Sequence, residues 1–115
     1  MDINKLISLL SSARLPLNKE KDTQDAIEKL FKKHLIPYER EYRLDENNIP
    51  DFFVEGIVIE VKSKGNVTHI FKQCERYCEF ESVSKLILVT TRSIGFPKEI
   101  NYRPSFVINI GKVRL

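Results

Sequence analysis

The sequence lacks the features that mark membrane-bound, secreted or repetitive proteins. No stretch is long and apolar enough to span a membrane, and the first residues carry neither the basic segment nor the apolar run of a signal peptide. There is no internal repeat, low-complexity tract or interdomain linker. A chain of 115 residues can bury a core of its own but has no room for a second folded unit. We therefore expect one soluble domain, residues 1–115, in the cytoplasm.

Cysteine and histidine are scarce, which argues against a disulfide framework and against a structural zinc site. The chain has two cysteines and two histidines. Cys74 and Cys78 lie four residues apart in the apolar stripe of a predicted helix, so we expect buried, reduced thiols. A closed zinc site needs four ligands in tetrahedral array, which would require both thiols together with His34 and His69. We expect no zinc.

The stretch from Ile49 to Lys62 predicts a β-hairpin. Two β-branched, apolar runs flank the pair at positions 55–56, and a two-residue loop containing glycine is typical of a tight hairpin turn. If the loop has two residues, Val54 lies opposite Ile57. Each further step back on one strand then matches a step forward on the other, which places Asp51 opposite Glu60.

The two faces of this hairpin differ in chemistry. Side chains alternate along a strand, so Asp51 shares one face with Glu60 and Lys62, while the opposite face is wholly apolar and must be buried. Directly opposed carboxylates destabilise a sheet unless a positive charge lies between them. Mg²⁺ is such a charge, since it binds oxygen ligands and keeps waters for a substrate. The Lys62 ammonium could meet a phosphate or an attacking water.

The helix predicted from an Asn18 cap to about Leu35 contributes a third acid. At about 100° per residue, Glu20 lies on the apolar face with Ile27, whereas Asp25 and Glu28 point away from it. Glu20 therefore aims at the sheet. An acid in the first turn is also favoured by the helix dipole, so compensation of that dipole is an alternative role.

A second helix is predicted from about Val67 to Glu81. Gln73 and Tyr77 lie one turn apart on its polar border, where both can hydrogen-bond a phosphate or a catalytic lysine. An ordinary amphipathic border is the alternative.

The remaining pattern completes a mixed α/β fold. It predicts an N-terminal helix from an Asp2 cap to Ser12, a strand over 38–44, a buried strand over 85–90, a loop over 91–103 and a last strand over 105–110. The helix between the third and fourth strands is typical of a right-handed parallel crossover. We expect the order α-β-β-β-α-β-β over a core of residues 18–110, with residues 1–17 as an extra helix and connector, and helices on both faces of the sheet.

Three short motifs resemble those of the PD-(D/E)XK nuclease superfamily. They are Pro50-Asp51 at the start of the hairpin, Glu60-Val61-Lys62 in its second strand, and Gln73-x-x-x-Tyr77 on the following helix. The resemblance covers residues 18–110 and implies a restriction-endonuclease-like core. The small Holliday-junction resolvases and the compact nucleases of phages and mobile elements are the most similar members in size and plan.

The resemblance also implies roles for individual residues. Asp51 and Glu60 would be metal ligands together with the Val61 carbonyl, and Lys62 would orient the attacking water or offset charge on the phosphate. Glu20 would be the helix acid that binds a second metal or the water, with Glu28 as the fallback. Gln73 and Tyr77 would match the Gln/Tyr motif.

The function implied is a Mg²⁺-dependent DNA endonuclease, with Mn²⁺ able to substitute. The net charge of +3 permits a nucleic-acid partner without requiring one. Lys64, Lys72 and Arg76 are the candidate phosphate contacts, which confer no sequence readout, so we expect selectivity for DNA structure. A homodimer, formed through the N-terminal helix, is possible. Two alternatives stay open: a nucleic-acid-binding module on the same fold without turnover, and a small α/β interaction protein with merely solvated acids.

Overall fold

Three helices pack on a six-stranded mixed sheet in the computed structural model, which describes residues 1–110. The last five residues of the expected 1–115 domain lie outside this range. The helices are α1 (Ile3–Ser12), α2 (Glu20–Lys33) and α3 (Val67–Tyr77). The strands are β1 (Glu39–Arg40), β2 (Phe52–Val54), β3 (Ile57–Lys62), β4 (Lys85–Thr90), β5 (Glu99–Ile100) and β6 (Arg103–Asn109). No helix within the described range is long and apolar enough to cross a membrane.

The predicted hairpin forms in the predicted register. Val54 pairs with Ile57, and Phe52 pairs with Ile59 in the antiparallel β2–β3 ladder. Glu55 and Gly56 have φ values of 46° and 88°, as a tight hairpin turn requires at its two central positions. A Cβ atom at Gly56 would also lie 2.9 Å from the Ser84 hydroxyl, so both backbone conformation and space favour glycine.

The strand order is β1-β2-β3-β4-β6-β5. β3 pairs with β4 in parallel, and α3 makes the crossover between them, which confirms the predicted parallel connection. β4 and β6 are also parallel, so β3, β4 and β6 all end at one edge of the sheet. The α/β class with helices on both faces is confirmed.

One sheet face is covered by α1 and α2. Leu6 and Leu10 of α1 are completely buried in one cluster with Phe31 of α2 and with Phe52 and Ile59 of the hairpin. The apolar side of α1 is therefore used within the chain, because both of these leucines pack on the sheet. A homodimer formed through α1 would have to use the other, polar side of that helix, which is exposed.

The other face is covered by α3, whose buried stripe differs from the predicted one. Cys74 and Cys78 are buried as free thiols, as expected, and they pack with Val58 of the hairpin. Tyr77 is also fully buried, although the helical pattern placed it on the polar border. Val67, predicted at the centre of the stripe, is 39% exposed. The helix is thus rotated so that Tyr77 faces the sheet.

Two helix ends were predicted wrongly. The N-cap of α2 is Lys19, which makes no side-chain cap, and Asn18 lies before it. α3 ends at Tyr77 rather than at position 81. The Arg103 guanidinium donates to the carbonyl oxygens of Phe80 and Val83, and these bonds hold the segment after α3 in a turn toward β4.

Strand lengths also differ from the prediction. The strand expected over 38–44 is reduced to β1, because Glu41 has a φ of 53° and turns the chain out of the ladder. The loop expected over 91–103 contains β5, which pairs with the start of β6. β6 begins at Arg103 instead of Ser105, since Asn101 and Tyr102, with φ values of 48° and 67°, close a tight turn before it.

Candidate active site

The site begins where β3 extends beyond its partner β2. Asp51 precedes the first residue of β2, and its Oδ2 accepts the Val61 N–H at 2.7 Å. Two residues further along the same edge, Glu20 Oε2 accepts the Ser63 N–H at 2.8 Å and its hydroxyl at 3.2 Å. Alternate N–H groups of a strand point to the same side about 7 Å apart, so the two acids occupy adjacent positions on that edge. They come from distant parts of the chain.

Asp51 and Glu60 are brought together as the hairpin register predicted. Glu60 Oε1 accepts the Asp51 N–H at 3.1 Å, and Glu60 is only 2% exposed. Burial raises the pKa of Asp51, and the negative charge of Glu20 raises it further. Burial likewise raises the pKa of Glu60, with the Asp51 charge as the next cause. The charge of Asp51 therefore disfavours the charged form of Glu60, and the charge of Glu20 disfavours that of Asp51.

Lys62, Tyr77 and Gln73 surround the second oxygen of Glu60. Lys62 Nζ lies 3.6 Å from Glu60 Oε2, and the Tyr77 hydroxyl donates to the same oxygen at 3.4 Å. Gln73 Nε2 donates to the Tyr77 oxygen at 2.8 Å. The Lys62 side chain is 26% exposed whereas that of Glu60 is 3% exposed, so the ammonium can reach outward from a buried acid.

The local charges leave the site acidic. Asp51, Glu60 and Glu20 bring three carboxylates, while Lys62 brings one ammonium. Arg40 lowers the pKa of Asp51 less than Lys62 does, and its guanidinium pairs with two other acids. That guanidinium lies 2.8 Å from Asp25 and 3.2 Å from Glu28. A further cation would relieve the remaining repulsion.

The donor set fits Mg²⁺ through two carboxylates and main-chain oxygen. Asp51 and Glu60 offer hard oxygen ligands, and Asp51 Oδ1 accepts no hydrogen bond from the described residues. The Val61 N–H faces Asp51, and the N–H and C=O of one strand residue point to the same side, so the Val61 carbonyl faces the same gap. Within residues 1–110, no three His, Cys, Asp or Glu side chains converge closely enough to hold a metal by themselves. Waters or substrate oxygens would complete the shell.

The helix acid nearer to this gap is Glu20. Its charge influences the Asp51 pKa, and it caps the β3 edge next to Asp51. Glu28 instead accepts the Tyr38 hydroxyl at 2.7 Å and pairs with Arg40. Glu28 therefore belongs to the contact between α2 and β1.

The three candidate phosphate contacts are exposed, on two sides of the acids. Lys64 follows β3 and lines an open cleft of about 310 Å³ together with Lys19 and Glu20. Lys72 and Arg76 lie on α3. The Arg76 Nε donates to the Asn48 side chain at 3.3 Å, which ties this cation to the turn before the hairpin.

The sequence interpretation missed two polar residues near the site: Ser63, which binds Glu20, and Asn48, which binds Asp45 and Arg76. Ser63 could have been found, because it lies two residues after Val61 and so uses the same strand edge. Asn48 could not have been found from the sequence, because its bond to Arg76 joins the turn before the hairpin to a helix that is distant along the chain.

Comparisons of the chain with protein-family models, with curated proteins and with solved structures found no match. Within the described residues the candidate site consists of a buried Glu60 beside a partly exposed Asp51, a lysine in contact with Glu60, a Gln/Tyr pair behind it and a third acid at the strand edge. This arrangement can hold a divalent cation and place an ammonium beside it.

Proposed function

We propose that the protein is a Mg²⁺-dependent DNA endonuclease with a restriction-endonuclease-like core of the PD-(D/E)XK type. One observation carries the proposal: the buried Glu60 carboxylate accepts the main-chain N–H of the partly exposed Asp51, and Lys62 Nζ lies only 3.6 Å from that carboxylate. Buried like charges are costly, and perturbed acids of this kind are common at catalytic sites. Because the two strands of the hairpin pair with each other, the positions of Asp51 and Glu60 relative to one another are fixed.

Each side chain of the site has a distinct role in this proposal. Asp51, Glu60 and the Val61 carbonyl would hold Mg²⁺, and Glu20 would orient the attacking water or hold a second ion. Bound Mg²⁺ supplies a more acidic water and stabilises negative charge on the scissile phosphate. Lys62 moves from Glu60 toward that phosphate, where its ammonium offsets the developing charge.

Tyr77 and Gln73 position the buried acid. The Tyr77 hydroxyl donates to Glu60, and Gln73 fixes the orientation of that hydroxyl. These bonds keep one Glu60 oxygen in place when Lys62 turns outward. Both residues therefore act through Glu60.

Lys64, Lys72 and Arg76 are proposed to bind DNA phosphates on either side of the acids. Phosphate contacts supply affinity that falls with salt but carry no sequence information. The substrate is therefore selected by DNA structure.

A second candidate function is binding without turnover, as a nucleic-acid-binding module or a small interaction protein. The observation that favours it is that Asp51 and Glu20 each accept a main-chain N–H at the β3 edge. Capping a strand edge is a structural task that needs no metal. This candidate function predicts partner binding that does not depend on Mg²⁺, and it predicts no DNA cleavage.

Cleavage of a DNA panel tests the proposal. The protein is incubated with Mg²⁺ or Mn²⁺ and with linear, nicked, flapped, single-stranded and four-way DNA. We expect metal-dependent cleavage that Asp51→Asn and Glu60→Gln each abolish. Asp22→Asn, which neutralises an exposed acid in the first turn of α2, is the matched control and should cleave normally. Cleavage by folded Asp51→Asn would contradict the proposal. A natural protein that cleaves no DNA of the panel would contradict it as well.

A further inference from the structure

Tyr42 and Phe53 form a stacked aromatic pair next to the acids. Their ring centroids are 4.3 Å apart and their planes differ by 15°. Both side chains are partly exposed. Phe31 and Phe52, which pack edge to face on the other side of the sheet, are fully buried. The Tyr42–Phe53 pair thus keeps part of its ring surface open to solvent.

The pair lies on the same sheet face as the carboxylates. Phe53 follows Asp51 by two residues, so both side chains point to that face about 7 Å apart along the chain. The Tyr42 N–H donates to the Pro50 carbonyl at 3.2 Å, and the Glu41 N–H donates to the Asp51 carbonyl at 2.8 Å. The left-handed backbone at Glu41 redirects the chain after β1, and Tyr42 then stacks on Phe53.

Acidic side chains lie next to the pair. Glu39 and Glu55 line an open cleft together with Phe53, and the exposed Glu41 directly precedes Tyr42. These acids would repel a phosphate, so an uncharged base rather than a phosphate would meet the rings. The exposed Arg43 follows Tyr42 along the chain, and Arg76 of α3 is bound to Asn48 in the turn before the hairpin; both can contact the polynucleotide backbone.

We propose that Tyr42 and Phe53 form a stacking platform for one unpaired base beside the acid pair Asp51 and Glu60. This inference rests on the proposed function, and it specifies the substrate as single-stranded or splayed DNA rather than intact duplex. An unpaired base has a free face, whereas a duplex base is already stacked on both sides. Stacking of bases on aromatic rings tolerates any sequence, which agrees with phosphate contacts that read none.

Fluorescence of 2-aminopurine tests the platform without cleavage. The Asp51→Asn protein, in EDTA, is titrated with a short single-stranded oligonucleotide that carries one 2-aminopurine, and with the same strand in a duplex. We expect quenching with the single strand and little with the duplex. Adding Tyr42→Ala should weaken single-strand binding about tenfold, while Tyr42→Phe, which keeps the ring, should bind within about twofold. Tyr102→Ala removes a tyrosine that is 93% exposed in the turn between β5 and β6, and it should have no effect.

Three results would overturn the inference: unchanged binding by folded Tyr42→Ala, equal quenching with the duplex, or binding of neither DNA form. If circular dichroism shows that Tyr42→Ala does not fold, the platform is tested by comparing 2-aminopurine quenching in the single strand and in the duplex, both with the Asp51→Asn protein. Cleavage by the natural sequence is measured separately. Cleavage without base stacking would support the nuclease proposal and contradict the stacking platform. Base stacking without cleavage would support the platform and contradict the nuclease proposal.

Discussion

At the scale of single residues, the acid pair shows what sequence can and cannot predict. Alternation and a two-residue turn are sufficient to place Asp51 beside Glu60, because hairpin geometry is local. The nearly complete burial of Glu60 could not be predicted, since it depends on Tyr77 packing from a helix whose rotation the pattern misjudged. The electrostatic cost of the pair is thus a tertiary property.

The raised pKa values of Asp51 and Glu60 predict how stability changes with pH. Carboxyls have a pKa of about 4 in an unfolded chain, so above that pH the folded protein retains protons that the unfolded chain has lost. This stabilisation is complete below about pH 4 and is lost as pH rises through the raised values. In EDTA, Tm should fall by about 6 °C per pH unit in that window for each retained proton.

Thermal melts from pH 5 to pH 8 check this expectation. Glu60→Gln should flatten the slope, and the exposed control Glu79→Gln should leave it unchanged. Mg²⁺ binds the charged acids, so the gain in Tm from the metal should grow as pH rises. A slope that is unchanged in Glu60→Gln would contradict the assignment, since only the contribution of Asp51 should remain.

Lys62 should affect turnover more than metal binding. Lys62→Ala removes an ammonium that is proposed to stabilise the reacting phosphate, so kcat should fall about a hundredfold while the Mn²⁺ affinity changes far less. Lys64→Ala, two residues away and exposed, is the control: it should weaken DNA binding and reduce its salt dependence without lowering kcat. Equal losses of kcat and metal affinity in Lys62→Ala would count against the role of Lys62.

At the scale of elements, periodicity located α2, α3 and the hairpin but not the points where chain direction changes. Glu41 and Tyr102 adopt left-handed backbone without being glycine or asparagine, so their identity gave no signal for a short β1 or for β5. The tertiary environment imposes these conformations at some cost in stability.

The end of α2 offers a test of that cost. Leu35 follows the C-cap with a φ of 55° and is 89% exposed, while the Ile36 N–H closes the helix end on the Phe31 carbonyl at 2.9 Å. Glycine is the preferred residue at such a position, so Leu35→Gly should raise the free energy of unfolding by about 0.5–1 kcal/mol in urea denaturation. Leu17→Gly, at an exposed leucine whose backbone is not left-handed, should give no gain. Destabilisation by Leu35→Gly would show that the exposed side chain has a partner.

At the scale of the whole molecule, α1 is part of the main core. Leu10 is completely buried against the sheet, although the sequence alone left open whether this helix packs on the domain or on a partner. An amphipathic pattern reveals that a helix has an apolar side but not which surface covers it. The sheet order was equally out of reach, since it depends on how β4 and β6 pair after a long connection.

Truncation of Leu10 measures how much the packing of α1 on the sheet contributes to stability. Leu10→Ala should lower the free energy of unfolding by about 3 kcal/mol, because it leaves a cavity under α1. Urea denaturation gives the value, with Leu17→Ala at an exposed site as a control that should change stability by less than about 0.5 kcal/mol. A change equally small for Leu10→Ala would mean that α1 does not pack as described.

The most direct test of the central claim is calorimetric titration of Mn²⁺ into the natural protein and its variants at neutral pH. The acid pair should bind the cation, Asp51→Asn and Glu60→Gln should each weaken that binding more than about tenfold, and Asp22→Asn should bind normally. Binding that is equally tight in folded Asp51→Asn, or absent from the natural protein, would contradict a metal site at Asp51 and Glu60.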